Sequence, residues 1–178
     1  MHQDCERIML SEEEIKARVE EIAKQITSDY KGTRPLAISI LKGSLIFFAD
    51  LIRDIDLPME LDFMAVSSYE GTKTTGTVAF KKDLDINPEG RDILIVEDIL
   101  DSGLTLSYLK SVLEVRNPAS VKICTFLDKP ENRKVEINAD YVGKVIPNEF
   151  VIGYGLDYNE KYRNLSYVGV LSPKIYSE

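Results

Sequence analysis

Histidine is nearly absent from this chain: among 178 residues only His2 carries an imidazole. Ser-His-Asp triads and His-ligated metal sites need imidazoles held beside other groups, and one at a terminus, where chains are commonly mobile, supplies neither. Acid–base chemistry near neutral pH therefore falls to carboxylates, lysine or tyrosine. Cysteine is equally sparse. Cys5 and Cys124 are too few and too scattered for a disulfide framework or a zinc site, and Cys124 sits in an apolar run as a small buried hydrophobe. Long hydrophobic runs are missing too: the longest, Leu45 to Ala49, stops at Asp50 and cannot span a bilayer. The start of the chain has no apolar signal-peptide core, so a cytoplasmic location is expected, with no membrane partner. Basic residues are outnumbered, 22 Lys and Arg against 30 Asp and Glu, for a net charge of −8. That balance excludes a general attraction for nucleic acid. Any polyanionic ligand must be held by local features.

What is present is a repeating strand–loop–helix pattern. Ser11 and Glu14 form a capping box, Leu10 and Ile15 a hydrophobic staple, and Ile15, Val19, Ile22, Ala23 and Ile26 recur at helical spacing. Leu36 to Leu41 reads as a buried strand, followed by Lys42-Gly43-Ser44 and a helical apolar stretch from Leu45 to Ile55. Met59 to Val66 alternates as a strand with one exposed face would. Residues 67–76 are polar, with one aromatic, Tyr69, and two glycines, Gly71 and Gly76, and suit either a plain hairpin loop or a lid. Thr77 to Lys81 returns as a strand. A helix over 105–116 and a buried strand from Val121 to Leu127 follow, the latter ending in Asp128-Lys129-Pro130. The tail departs from the alternation, with short strands at Tyr141–Ile146, Phe150–Tyr154 and Tyr167–Leu171. The expected class is α/β: one unit over 1–178, an open, mostly parallel twisted sheet flanked by helices. A small β-rich hood, formed mainly by about 130–178 with the N-terminal residues, would cover the carboxyl ends of the strands.

The densest chemistry lies in residues 91–109. An apolar strand, Ile93 to Val96, ends at two carboxylates, Glu97 and Asp98. Asp101-Ser102-Gly103-Leu104-Thr105 then turns into a helix whose first N–H groups and dipole favour an anion. Gly103 lets a ligand approach the backbone, and the hydroxyls of Ser102 and Thr105 can donate. The Walker pattern is absent. Three acids beside a phosphate cradle would repel the ligand unless a cation intervenes, and Mg²⁺ suits carboxylate, hydroxyl and pyrophosphate oxygens. Taken singly, Asp101 and Ser102 could be only a cap and a turn, and Glu97 and Asp98 only a solvated strand end. Adjacent strand side chains point to opposite faces, so Glu97 and Asp98 are not expected to act as one clamp.

Val96-Glu97-Asp98-Ile99-Leu100-Asp101-Ser102-Gly103-Leu104-Thr105 resembles the phosphoribosyl-diphosphate motif of type I phosphoribosyltransferases, and the chain as a whole resembles the hypoxanthine(-guanine) members. The resemblance implies that fold, and transfer of a phosphoribosyl group from 5-phosphoribosyl 1-diphosphate to a 6-oxopurine with Mg²⁺ as cofactor. It gives Glu97 and Asp98 the ribose hydroxyls and metal, residues 101–105 the 5′-phosphate, and Asp101 the proton from N7 of the base. Lys42 and Gly43, preceded in such enzymes by an often cis peptide, would bind pyrophosphate together with Arg163. Ser68 and Tyr69 would belong to the closing loop. Phe150-Val151-Ile152-Gly153-Tyr154-Gly155-Leu156-Asp157-Tyr158-Asn159-Glu160 resembles the purine-binding segment: Phe150 stacks, the Val151 backbone reads the base edge, and Asp157 contacts its far side and a second metal. Lys129 would donate to the exocyclic oxygen. Leu104 departs from members with lysine there and removes one side-chain cation. Dimers or tetramers are implied. Two other readings remain, a donor-binding sensor without chemistry and a paired-acid glycosidase, the latter leaving the phosphate loop without purpose.

Overall fold

The structure, a computed structural model, describes residues 2–68 and 78–176. Tyr69 of the expected closing loop therefore lies outside the described residues, and Ser68 ends a strand at its edge. In chain order the elements are β1 (Cys5–Leu10), α1 (Glu12–Asp29), β2 (Leu36–Leu41), α2 (Leu45–Asp54), β3 (Glu60–Ser68), β4 (Val78–Lys82), β5 (Asp92–Leu100), α3 (Leu104–Glu114), β6 (Ser120–Asp128), β7 (Tyr141–Val145), β8 (Val151–Ile152) and β9 (Val168–Leu171).

Six strands form the main sheet in the order β4-β3-β2-β5-β6-β7. All neighbours are parallel except β3 and β4, which pair antiparallel at one edge. The central strands bury both faces, and alternate residues go to separate cores. Ala37, Leu94, Val96 and Phe126 pack with α1 and α2, whereas Ile38, Ile40, Ile93 and Ile95 pack with Leu106, Leu109 and Leu113 of α3. That is why β2 and the start of β5 are continuous apolar runs. The α1 capping box is formed in both directions: Glu14 N–H donates to Ser11 Oγ at 3.3 Å and Ser11 N–H to Glu14 Oε2 at 2.8 Å. Such a cap contributes about 1 kcal/mol.

Several sequence expectations change. β7 was assigned to the hood, but it pairs parallel with β6, Cys124 opposite Tyr141, and completes the main sheet. The crossover between them carries only a 3₁₀ turn, Pro130–Asn132, so no helical periodicity announced a parallel connection. β5 runs four residues past Val96, because Glu97 and Leu100 keep pairing with β6. In β3 the alternation is inverted: Asp62 is buried while Leu61 is exposed. Asp62 accepts from the backbone N–H groups of Phe63, Asp85 and Ile86, with Lys82 at 3.4 Å, and so pins the segment after β4. The hood sheet is antiparallel, β1-β9-β8. The N-terminus is tied down rather than loose, since His2 Nδ1 lies 2.8 Å from Tyr167 Oη. No helix among the described residues is long and apolar enough to cross a membrane.

Candidate active site

β5 hands the chain to α3 through Asp101, Ser102 and Gly103. Gly103, at φ +81°, is the residue before the helix. A Cβ there would sit 2.6 Å from Ile137 Cγ2 and 3.0 Å from Arg133 Cδ, so the turn needs glycine for space as well as for its left-handed backbone. The first helical bond runs from Ser107 N–H to the Gly103 carbonyl at 2.9 Å; Leu104 N–H reaches Ser102 Oγ at 3.4 Å, and the N–H groups of residues 105 and 106 are left at the mouth of the turn. A cavity of about 170 Å³ lies there, lined by Glu97, Asp98, Asp101, Ser102, Gly103 and Thr105 among others. A larger one, about 550 Å³, lies between α1, α2 and residues 164–166. It holds none of the cradle residues, so chemistry rather than size locates the site.

The cradle is strapped from behind by residues the sequence reading missed. Arg133 donates to the carbonyls of Leu100 and Asp101 at 2.9 and 2.5 Å and pairs with the Asp128 carboxylate, while Lys134 N–H donates to the Ser102 carbonyl at 2.9 Å. Asn132 donates to Asp101 Oδ1 at 2.6 Å. No motif marks these positions; the only signal was a cation four residues past a strand-end lysine.

Lys129 leaves the end of β6 as expected and is 7% exposed. Its ammonium donates to the Glu149 carbonyl at 3.2 Å and lies 3.4 Å from Asp101 Oδ2. These two residues, far apart in sequence, therefore meet. Phe150 is 40% exposed, so it is no core aromatic. It stacks on Tyr176 at 5.4 Å and meets Tyr158 edge-on at 5.6 Å. Val151 is buried in β8, opposite Val170.

Glu97 and Asp98 each turn back on the backbone at the end of β5: Asp98 N–H donates to Glu97 Oε1 at 3.2 Å and Ile99 N–H to Asp98 Oδ1 at 2.8 Å. Burial, and secondly the neighbouring Asp98 charge, push Glu97 well above the usual carboxylate range. Burial also raises Asp98, against the contrary pull of Glu97, the Ile99 N–H and Arg163. Two neighbouring carboxyls whose charged forms are both disfavoured by burial are a donor set that a cation would relieve. Among the described residues no three acids, cysteines or histidines form a metal cage. Mg²⁺ does not need one, since it takes one or two carboxylates and completes its shell with water and phosphate oxygens. Glu97 and Asp98 fit that use. Asp157, expected as a further ligand, does not join them in a cluster; it pairs with Arg163 at 2.9 Å and accepts from Glu160 N–H at 2.9 Å.

The loop after β2, expected to bind pyrophosphate, faces this pair. The Leu41–Lys42 peptide is cis. Gly43 lies so close to Asp98 that a Cβ would be 1.8 Å from Oδ2, and Gly155 so close to Gly43 that a Cβ would be 2.0 Å from the Gly43 carbonyl oxygen. Loop, acid pair and hood are thus stacked in contact. Lys42 Nζ is 3.0 Å from Glu160 Oε2, and this contact holds Glu160 below the ordinary glutamate range. Arg163 donates to the Gly155 carbonyl at 2.8 Å.

Residues 9–159 match the family model described as the phosphoribosyl transferase domain. The chain is 52% identical, over all its length, to the bifunctional protein TilS/HprT of Listeria monocytogenes, of which it spans 28%. It is 56% identical over 99% of its length to the hypoxanthine-guanine phosphoribosyltransferase of Bacillus subtilis, covering 98% of that protein. A crystal structure of a hypoxanthine phosphoribosyltransferase from Staphylococcus aureus superposes with a TM-score of 0.97 at 50% identity, over 100% of this chain and 97% of that one. A helix-capped anion cradle closed by an acid pair, carried on this sheet and matched over this length, leaves one family, and the chain belongs to the phosphoribosyltransferases of type I.

Proposed function

We propose that this chain transfers the phosphoribosyl group of 5-phosphoribosyl 1-diphosphate to hypoxanthine or guanine, giving IMP or GMP and pyrophosphate. The observation that carries the reading is the meeting of Lys129 and Asp101 beside the cradle, at 3.4 Å. An ammonium group donates and cannot accept, so Lys129 selects a 6-oxo over a 6-amino group. Its partner Asp101, steadied by Asn132, stands ready to take the proton from N7. Residues 102–105 grip the 5′-phosphate and hold the reacting carbon in line with the base nitrogen. Leu104 contributes its backbone N–H only. Lys42, the Gly43 backbone and Arg163 neutralise the leaving pyrophosphate. Phe150 offers a face to the base, the Val151 backbone reads its edge, and Asp157 aligns Arg163 and borders the base. Ser68 and Tyr69, on the family resemblance, would help to keep water from the reacting carbon. Mg²⁺, held by Glu97 and Asp98, would supply charge neutralisation between the acids and the donor oxygens. A cytoplasmic dimer or tetramer is part of this reading, on the family resemblance.

The test is a steady-state assay with the donor, Mg²⁺ and four bases. Pyrophosphate and nucleotide should form with hypoxanthine and guanine, and adenine should be rejected. Binding of donor with no turnover on any base would instead make the chain a sensor.

A further inference from the structure

The two cations assigned to pyrophosphate are not waiting free. Lys42 Nζ lies 3.0 Å from Glu160 Oε2, and Arg163 Nη2 lies 3.5 Å from Glu160 Oε1, so one carboxylate spans both. Glu160 also holds a conformation that disfavours it. Tyr158 and Lys161 form an isolated antiparallel bridge, exchanging N–H bonds at 3.2 and 3.1 Å. The two residues between them, Asn159 and Glu160, have φ +52° and +58°. Positive φ at both central positions is the mark of a type I′ turn, whose second position is best filled by glycine. Asparagine tolerates the left-handed region, but glutamate does not do so readily. A turn formed for its own sake would carry glycine at 160. Here the strained residue directs a charge at the two groups that a diphosphate needs.

We propose that Glu160 is a positioning residue that stands in for pyrophosphate, bridging Lys42 and Arg163 until the donor displaces it and re-forming the bridge as the product leaves. This rests on the proposed function and adds to it a determinant of donor and product affinity. The bridge is exposed, 68% at Lys42 and 64% at Glu160, so its competition is modest: an exposed ion pair corresponds to roughly a two- to fivefold effect.

The test compares the full chain with Glu160→Gln, Glu160→Gly and, as a control for net charge, Glu114→Gln at the exposed far end of α3. Magnesium pyrophosphate binding is measured by calorimetry, and the donor Michaelis constant and kcat are measured with hypoxanthine. Both Glu160 variants should bind pyrophosphate roughly two- to fivefold more tightly. The donor Michaelis constant should fall by a similar factor without a rise in kcat, and the gain should shrink as salt screens the exposed pair. Glu160→Gly should also raise the melting temperature by about 2–4 °C, because the turn loses its strain. A merely structural bridge would move stability the other way and leave pyrophosphate affinity alone. Unchanged or weaker affinity in both variants, or an equal gain in Glu114→Gln, overturns the proposal. If the unaltered chain forms no nucleotide at all, it is the functional reading that fails; if it turns over normally and the variants match it, the stand-in alone is wrong.

Discussion

Gly43 and Gly155 face each other across the seam between the main sheet and the hood, and replacing each by alanine should have opposite consequences. Gly155 has φ +100°, and an added Cβ would lie 2.0 Å from a backbone oxygen, that of Gly43. Neither problem has an easy escape: the left-handed backbone costs an L residue about 1–3 kcal/mol, and overpacking against backbone about 1–3 kcal/mol more. Gly155→Ala should therefore lose roughly 2–6 kcal/mol, a fall in melting temperature of about 4–24 °C for a chain this long. Gly43 is outside the positive-φ set, and its added Cβ would meet a side-chain oxygen, Asp98 Oδ2, at 1.8 Å. A carboxylate can swing aside for about 0.5–1.5 kcal/mol. Gly43→Ala should then stay within about 5 °C of the parent. It should still lose most nucleotide formation, because Asp98 is driven from its place beside Glu97. Differential scanning calorimetry with a parallel nucleotide assay reads both. A Gly155→Ala chain as stable as the parent, or a Gly43→Ala chain fully active, would refute the stacked seam.

Further outcomes follow from the same geometry. Asp101→Asn should lower kcat by ~10²–10⁴-fold, the range of a positioned acid–base group, with donor affinity little changed in steady-state kinetics. Phe150→Ala should raise the Michaelis constant for the base by roughly 5- to 100-fold, the reach of base–aromatic stacking, with the donor constant near that of the parent. Asp62→Asn should destabilise by about 2–3 kcal/mol at neutral pH through weakened charge-assisted bonds. Burial raises Asp62, but the N–H groups of Ile86, Phe63 and Asp85, with Lys82, outweigh it and leave the carboxyl below its ordinary value of 3.8. A depressed carboxylate stabilises above its unfolded value, and that stability is lost as pH falls through the lower folded one. The gap between parent and variant should thus be full above about pH 5 and close below pH 3.8 in urea titrations.

How much of this was legible depended on whether a residue's role was local. The capping box and five buried positions of α1 stand where spacing put them, and β2 has the bounds its apolar run suggested, because helix caps and two-faced burial write themselves into neighbouring residues. The strand–turn–helix around Gly103 was readable for the same reason. Asp62 was not: two of its partners, Asp85 and Ile86, lie more than twenty residues on, and nothing in an alternating strand announces a buried acid. The N-terminal residues were expected in the hood, but β1 was not legible as a strand, because Cys-Glu-Arg-Ile-Met-Leu shows no alternation and three of its six residues are exposed. Arg133 and Asn132 act through backbone carbonyls and the carboxylates of Asp128 and Asp101, contacts without a motif. Glu97 and Asp98 were legible as a strand-end acid pair, but the close approach of Gly43 to Asp98 was not, because it joins residues more than fifty apart.

The most direct test is a crystal soaked with 5-phosphoribosyl 1-diphosphate and magnesium. The 5′-phosphate should lie in the turn at residues 102–105, within about 2.7–3.2 Å of the backbone N–H groups and the Thr105 hydroxyl, with the pyrophosphate beside Lys42 and the cation between it and Asp98. A fully occupied donor bound elsewhere, with that turn empty of phosphate, would contradict the account at its base.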